Sequence, residues 1–197
     1  MLPTICTPRL CLRAIVPADA PGLLAVFSDP EVVRYWSAPP LVDLAEAVAL
    51  AGSIGERARE GTLLQWGIVR AEEDRVIGTC TLADIDVAHR RASLGYALAR
   101  AAWGQGIARE AVGALVEHGF AGLELHRIGA DVDPRNEASL RLLRDLGFVQ
   151  EGVQRECYHV MGEWQDAVMF GLLRRDWRGA GAAGSGVAAP GGRGRPG

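Results

Sequence analysis

In Trp103-Gly104-Gln105-Gly106-Ile107-Ala108 a glycine turn runs directly into an apolar pattern of helical spacing. Glycines at 104 and 106 lack the Cβ atoms that would keep a ligand away from the backbone. Ile107, Ala111 and Leu115, with Val112 and Val116 beside them, recur at helical spacing. The turn therefore opens a helix whose first N–H groups have no partner inside it. An anion fits there: each charge-assisted hydrogen bond contributes about 1.5–3 kcal/mol and the helix dipole roughly 0.3–1 kcal/mol more, enough for a phosphate site without lysine. Two glycines also serve tight turns for conformational reasons alone, so the surrounding sequence must decide. A Walker A loop is excluded because no Gly-Lys-Ser/Thr follows, and a dinucleotide fingerprint requires glycine or alanine where Arg109 stands.

Upstream of the turn, Leu63 to Arg70, Val76 to Ala83 and Ala92 to Leu98 read as three strands with short connections, an antiparallel meander. Before them, Arg9 to Ile15 alternates as a strand, and Asp19 to Phe27 and Leu41 to Glu60 read as helices. In the second helix Leu44, Val48 and Ala51 form the expected apolar stripe. Downstream, the helix opened by the glycine turn ends near Gly119 or Gly122, and Arg127 to Val132 is a strand. Asn136 is a good N-cap for a helix closed by Gly147. Phe148 to Val160 and Trp164 to Leu173 are the last strands, turning at Met161-Gly162-Glu163. The order β-α-α-β-β-β-α-β-α-β-β predicts an α+β fold, a mainly antiparallel sheet flanked by helices.

With 197 residues, 49% of them hydrophobic, the chain is long enough for one core without disulfides or metal. The domain is expected over residues 7–178, followed by a disordered Gly/Ala/Pro-rich tail at 179–197 with too little apolar surface to offset its ordering entropy. Cys6, Cys11, Cys80 and Cys157 are scattered, which predicts buried reduced thiols and neither a disulfide framework nor a metal site. The net charge of −3 and the dispersed arginines disfavour nucleic acid as the main partner. The absence of an apolar leader or an 18-residue apolar run predicts a cytoplasmic protein without membrane attachment. Exposed strand edges and apolar helix faces allow a homodimer without assigning an interface.

The glycine turn after a strand, followed by Asp133-Pro134-Arg135-Asn136-Glu137-Ala138-Ser139 and Leu146-Gly147-Phe148, resembles the GNAT superfamily of acetyl-CoA-dependent N-acetyltransferases. Thr7 to Arg13, Ser28-Asp29-Pro30-Glu31-Val32, Ile77-Gly78-Thr79, Gly95-Tyr96 and Glu151-Gly152 are similar to its RimJ/RimL branch, the ribosomal-protein N-terminal acetyltransferases. The resemblance implies a GNAT-like mixed sheet splayed around the cofactor. It implies a coenzyme A pyrophosphate on the backbone of Gly104, Gln105, Gly106, Ile107 and Ala108, with the pantetheine paired to the backbone of Leu98, Ala99 and Arg100 and reached by Asn136.

Ser139 stands where some relatives place a serine near the leaving thiolate, and Tyr158 is a second candidate acid. Trp103 departs from the commoner glutamine or arginine and is expected to pack on the sheet. Ser93 stands where many relatives carry a glutamate base. Asp84, Asp86, Glu156 and Glu163 are loosely placed carboxylates, and a water relay is an alternative to any of them. An α-amine of pKa near 7.7–8.0 is roughly 10–30% neutral near pH 7, against about 0.1% for lysine, so an α-amine acceptor needs less help from a base. The implied reaction is direct attack of a primary amine on acetyl-CoA, without metal, with Arg34-Tyr35-Trp36 and the second helix, Leu41 to Glu60, as candidates to line the acceptor cleft. A non-catalytic acyl-CoA sensor or interaction module and a nucleotide-binding enzyme are the competing classes.

Overall fold

The computed structural model describes residues 2–36, 38–160 and 162–179. Eight strands form one sheet in the order β1-β2-β3-β4-β5-β6-β8-β7. The first hairpin joins β1 (Ile5–Cys6) to β2 (Leu10–Ala14), which pairs antiparallel with β3 (Leu63–Arg70). Between β2 and β3 lie α1 (Ala20–Phe27), α2 (Pro30–Val33) and α3 (Leu44–Glu60). The expected meander is β3, β4 (Val76–Asp86) and β5 (Arg91–Leu98). Then come α4 (Ile107–Ala121), β6 (Arg127–Val132), α5 (Glu137–Asp145), β7 (Val149–Val160) and β8 (Glu163–Leu173). The α+β architecture agrees with the sequence reading, to which the structure adds β1 and α2.

Apolar side chains alternate between two sheet faces. One core holds Trp66, Ile68, Leu82 and Ile128 against Ile107, Val112, Leu115 and Val116 of α4. The other holds Val69, Val76 and Ala97 against Leu23 and Val26 of α1 and Ile54 of α3. The α3 stripe differs from expectation. Ala47, Ala51 and Ile54 are buried, whereas Leu44 and Val48 are about half exposed. Small alanines let α3 approach the sheet, and the helix rolls to present them.

The cysteine expectation is corrected as well. Cys6 and Cys11 face one another across β1 and β2 and form a disulfide, Cys80 is buried and free, and Cys157 is exposed and free. Spacing gave no sign of the bridge because the strand register, with Cα atoms 4.2 Å apart, brings the two together. Residues 180–197, most of the predicted tail, lie outside the described residues.

One irregularity of the sheet creates the site. Strands β5 and β6 run parallel and pair only from Arg91↔Arg127 to Ser93↔Gly129, after which they separate. Ala99 donates its N–H to the Ile77 carbonyl at 2.8 Å. Backbone direction alternates along a strand. Ala97 and Gly95 therefore share the β4 side with Ala99, and the backbone groups of Leu94, Tyr96 and Leu98 turn into the gap.

Candidate active site

The glycine turn is built on two left-handed residues, Gly104 at φ 72° and Gly106 at φ 73°, a conformation that costs any residue with a Cβ. Gly106 is the N-cap of α4, and no side chain among the described residues caps that end. Asp29, Asp43 and Asn136 cap α2, α3 and α5. The first N–H groups of α4 thus stay available to an anion. Gln105 turns outward: its Nε2 donates to the Ala101 carbonyl and its Oε1 accepts from Arg70, both at 2.8 Å. Its own carbonyl accepts from Arg9 at 2.9 Å.

Two cavities open from the β5–β6 gap. The larger, about 670 Å³, runs past Ala97, Leu98, Gly104, Gly106, Ile107 and Ala108. The smaller, about 270 Å³, lies among Leu94, Asp131, Asp133, Tyr158, Gln165 and Asp166. They share Tyr35, Trp36, Tyr96, Asn136 and Ser139, which stand at their junction. Ala99, Arg100 and Gln105 of the sequence candidates line neither cavity, Ala99 because its N–H is committed to β4 and Arg100 because a 3-10 turn has begun there. Trp103 does not pack on the sheet as expected. It is 46% exposed, and its indole N–H donates to the Leu98 carbonyl at 2.7 Å, closing the last free rung of β5.

The turn before α5 explains the placement of Asn136 and Ser139. Asp133 accepts from the Arg135 backbone N–H at 2.8 Å and from its guanidinium at 2.6 Å. Burial alone would raise the Asp133 carboxyl, but these bonds outweigh it and hold the group below the usual range. Asn136 then accepts the Ser139 N–H at 3.1 Å, so its side-chain oxygen serves as an N-cap. Ser139 Oγ lies 2.5 Å from the Tyr96 hydroxyl. Burial pushes the Tyr96 phenol up to about 12, against a smaller lowering by Ser139.

On the opposite wall, Tyr158 donates its hydroxyl to Asp131 Oδ2 at 2.7 Å. Burial, then the bond to Asp131, raises the Tyr158 phenol, which keeps its proton. Sequence reasoning missed Asp131, and the alternation of β6 was the only available signal. The four carboxylates singled out instead lie elsewhere. Asp86 binds His89 and Arg91, Asp84 and Glu156 sit at strand irregularities with positive φ, and Glu163 is exposed at the start of β8. Ser93 occupies the last paired rung before the gap and lines neither cavity. Among the described residues no cluster of His, Cys, Asp or Glu could hold a metal ion, and no helix is long and apolar enough to cross a membrane.

A strand gap beside an uncapped helix start leaves backbone groups free along one groove, an arrangement suited to an extended ligand that carries phosphate. The acetyltransferase (GNAT) domain model matches residues 9–149, so the chain belongs to the GNAT acetyltransferase family. It is 40% identical over 176 residues to the uncharacterized N-acetyltransferase p20 of Bacillus licheniformis, covering 89% of this chain and 99% of the relative. It is 28% identical to the ribosomal protein uS5-alanine N-acetyltransferase of Escherichia coli, covering 87% and 91%. Mycobacterium smegmatis RimJ, solved with CoA-disulfide, superposes with a TM-score of 0.79 at 26% identity, covering 87% and 85%. Within the family the chain falls in the RimJ/RimL-like branch. It is an acetyl-CoA-dependent N-acetyltransferase.

Proposed function

We propose that this enzyme acetylates a primary amine, with an unblocked peptide N-terminus as its first class of acceptor. The observation that carries this reading is the meeting of a long donor channel and a small acceptor cavity at Tyr96, Asn136 and Ser139. Coenzyme A lies in the larger cavity, with its pyrophosphate on the uncapped N–H groups of α4. Its pantetheine pairs with the free backbone groups of β5 as an added strand would. The thioester then reaches the junction.

The amine enters from the smaller cavity, where Asp131 accepts its proton while Tyr158 fixes the carboxylate. The neutral nitrogen attacks the thioester carbonyl, the C–S bond breaks with its electron pair on sulfur, and Ser139 faces the departing thiolate. Attack is direct, and holding both reactants at one junction supplies much of the acceleration. The α-amine preference rests on its larger neutral fraction and on the likeness, over most of the chain, to a ribosomal protein uS5-alanine N-acetyltransferase.

The test is incubation with acetyl-CoA and a panel of N-terminal peptides, polyamines and small amines, scored by thiol release and product mass. Acetylated peptide N-termini are expected. Tight acetyl-CoA binding with no product from any amine would make the protein an acyl-CoA sensor, and stronger thermal stabilisation by ATP than by acetyl-CoA would reject the donor site.

A further inference from the structure

The donor–acceptor junction contains a half-buried hydroxyl pair that direct acetyl transfer does not by itself require. Tyr96 is a β5 residue, held opposite Cys80 of β4 by the strand register. Its phenol reaches the first turn of α5, where its only hydrogen-bond partner among the described residues is Ser139 Oγ, at 2.5 Å. Ser139 Oγ in turn has no other partner among those residues.

A hydroxyl offers one donor and two acceptor sites, so one member of the pair donates and the other keeps a free O–H. The phenol is the stronger acid and hence the better donor. Burial keeps it protonated through the working pH range. With Tyr96 donating, the Ser139 proton is left to point into the junction, and hydrogen-bond cooperativity strengthens it as a donor.

We infer that Tyr96 is a positioning residue for acetyl transfer: its hydroxyl aims the Ser139 O–H at the sulfur of the leaving coenzyme A. This rests on the assignment of Ser139 to the leaving group. The C–S bond breaks with both electrons on sulfur, and the thiolate receives a hydrogen bond from Ser139. Neither hydroxyl surrenders its proton, because a thiolate is a much weaker base than a tyrosinate held near 12. The amine proton departs separately through Asp131 and solvent.

Tyr96→Phe removes the hydroxyl and keeps the ring. Single-turnover acetylation is expected to slow by about tenfold, the loss of an indirect donor rather than a direct one, while acetyl-CoA affinity and melting temperature stay close to the parent. The decisive comparison is the double variant. Tyr96→Phe in a Ser139→Ala background should add no further slowing, since the hydroxyl has nothing left to aim. Additive slowing would assign Tyr96 to packing and overturn the inference. A full rate in Tyr96→Phe with a slow Ser139→Ala would overturn it while sparing Ser139. A full rate in Ser139→Ala would remove the Ser139 assignment and Tyr96 with it.

Discussion

Arg9 braces the glycine turn through Glu110. Its Nε donates to Glu110 Oε2 at 2.6 Å and its backbone N–H to Oε1 at 3.1 Å, while Thr7 Oγ1 donates to the same Oε1 at 2.6 Å. Arg9 also holds the Gln105 carbonyl. The first hairpin, almost a hundred residues away in sequence, thereby fixes the turn and the first helical turn of α4. Glu110→Ala should weaken acetyl-CoA binding by roughly 1 kcal/mol, about fivefold, by calorimetric titration. Unchanged affinity would mean that the turn holds its shape unaided.

Gly106 sits at φ 73°, where a β-branched side chain is strained. Gly106→Val should cost about 1–3 kcal/mol of stability and add bulk at the helix start. Thermal melts with and without acetyl-CoA should show a lowered midpoint and no stabilisation by the ligand. Retained ligand stabilisation would place the phosphates elsewhere.

For the acceptor side, Asp131→Asn should reduce kcat/KM at neutral pH by roughly 10²–10⁴-fold, with recovery as rising pH supplies neutral amine. Tyr158→Phe leaves the carboxylate in place and should cost far less. Initial rates from pH 6 to 9 test both. Equal losses in the two variants would argue that the phenol, rather than the carboxylate, carries the proton step.

The disulfide closes a short hairpin, for which chain entropy gives about 2 kcal/mol. Cys11→Ser should lower the melting midpoint by roughly 4–8 °C. Alkylation of the unreduced, unfolded protein should modify Cys80 and Cys157 alone, as read by peptide mass.

Acid sensitivity should centre on Asp19, which is 6% exposed and accepts from Arg13 at 2.8 Å through both oxygens and from the Val16 N–H at 2.8 Å. Burial alone would raise this carboxyl, but the bonds from Arg13 and Val16 outweigh it and hold it below its ordinary value. Its stabilisation is therefore complete above the unfolded value near 3.9 and is lost as pH falls through the lower folded value. Asp19→Asn should cost about 3 kcal/mol at pH 7, the low end for a buried pair because Arg13 retains Asp74 as a partner. The difference from the parent should shrink on acidification, as read by urea unfolding between pH 7 and 3.

Features that depend on near neighbours along the chain are legible in the amino-acid order. Gly104 and Gly106 before an apolar helical stripe specify a left-handed turn and a helix start, because glycine alone adopts that conformation freely. Asn136 followed by Ser139 specifies a capped helix, and the alternating runs specify the meander, since both arise from short-range geometry. Features that depend on contacts between distant segments are not legible in that order. The pairing of Cys6 with Cys11 depends on strand register, and the burial of Ala47 rather than Val48 on how α3 rolls against the sheet. That Asp131 lines the smaller cavity while Asp84, Asp86, Glu156 and Glu163 do not depends on where β5 parts from β6. The glycine turn is legible as an anion-ready helix start, but only the separation of two strands brings Tyr96, Ser139, Tyr158 and Asp131 around one cavity, because that gap is a property of the whole sheet.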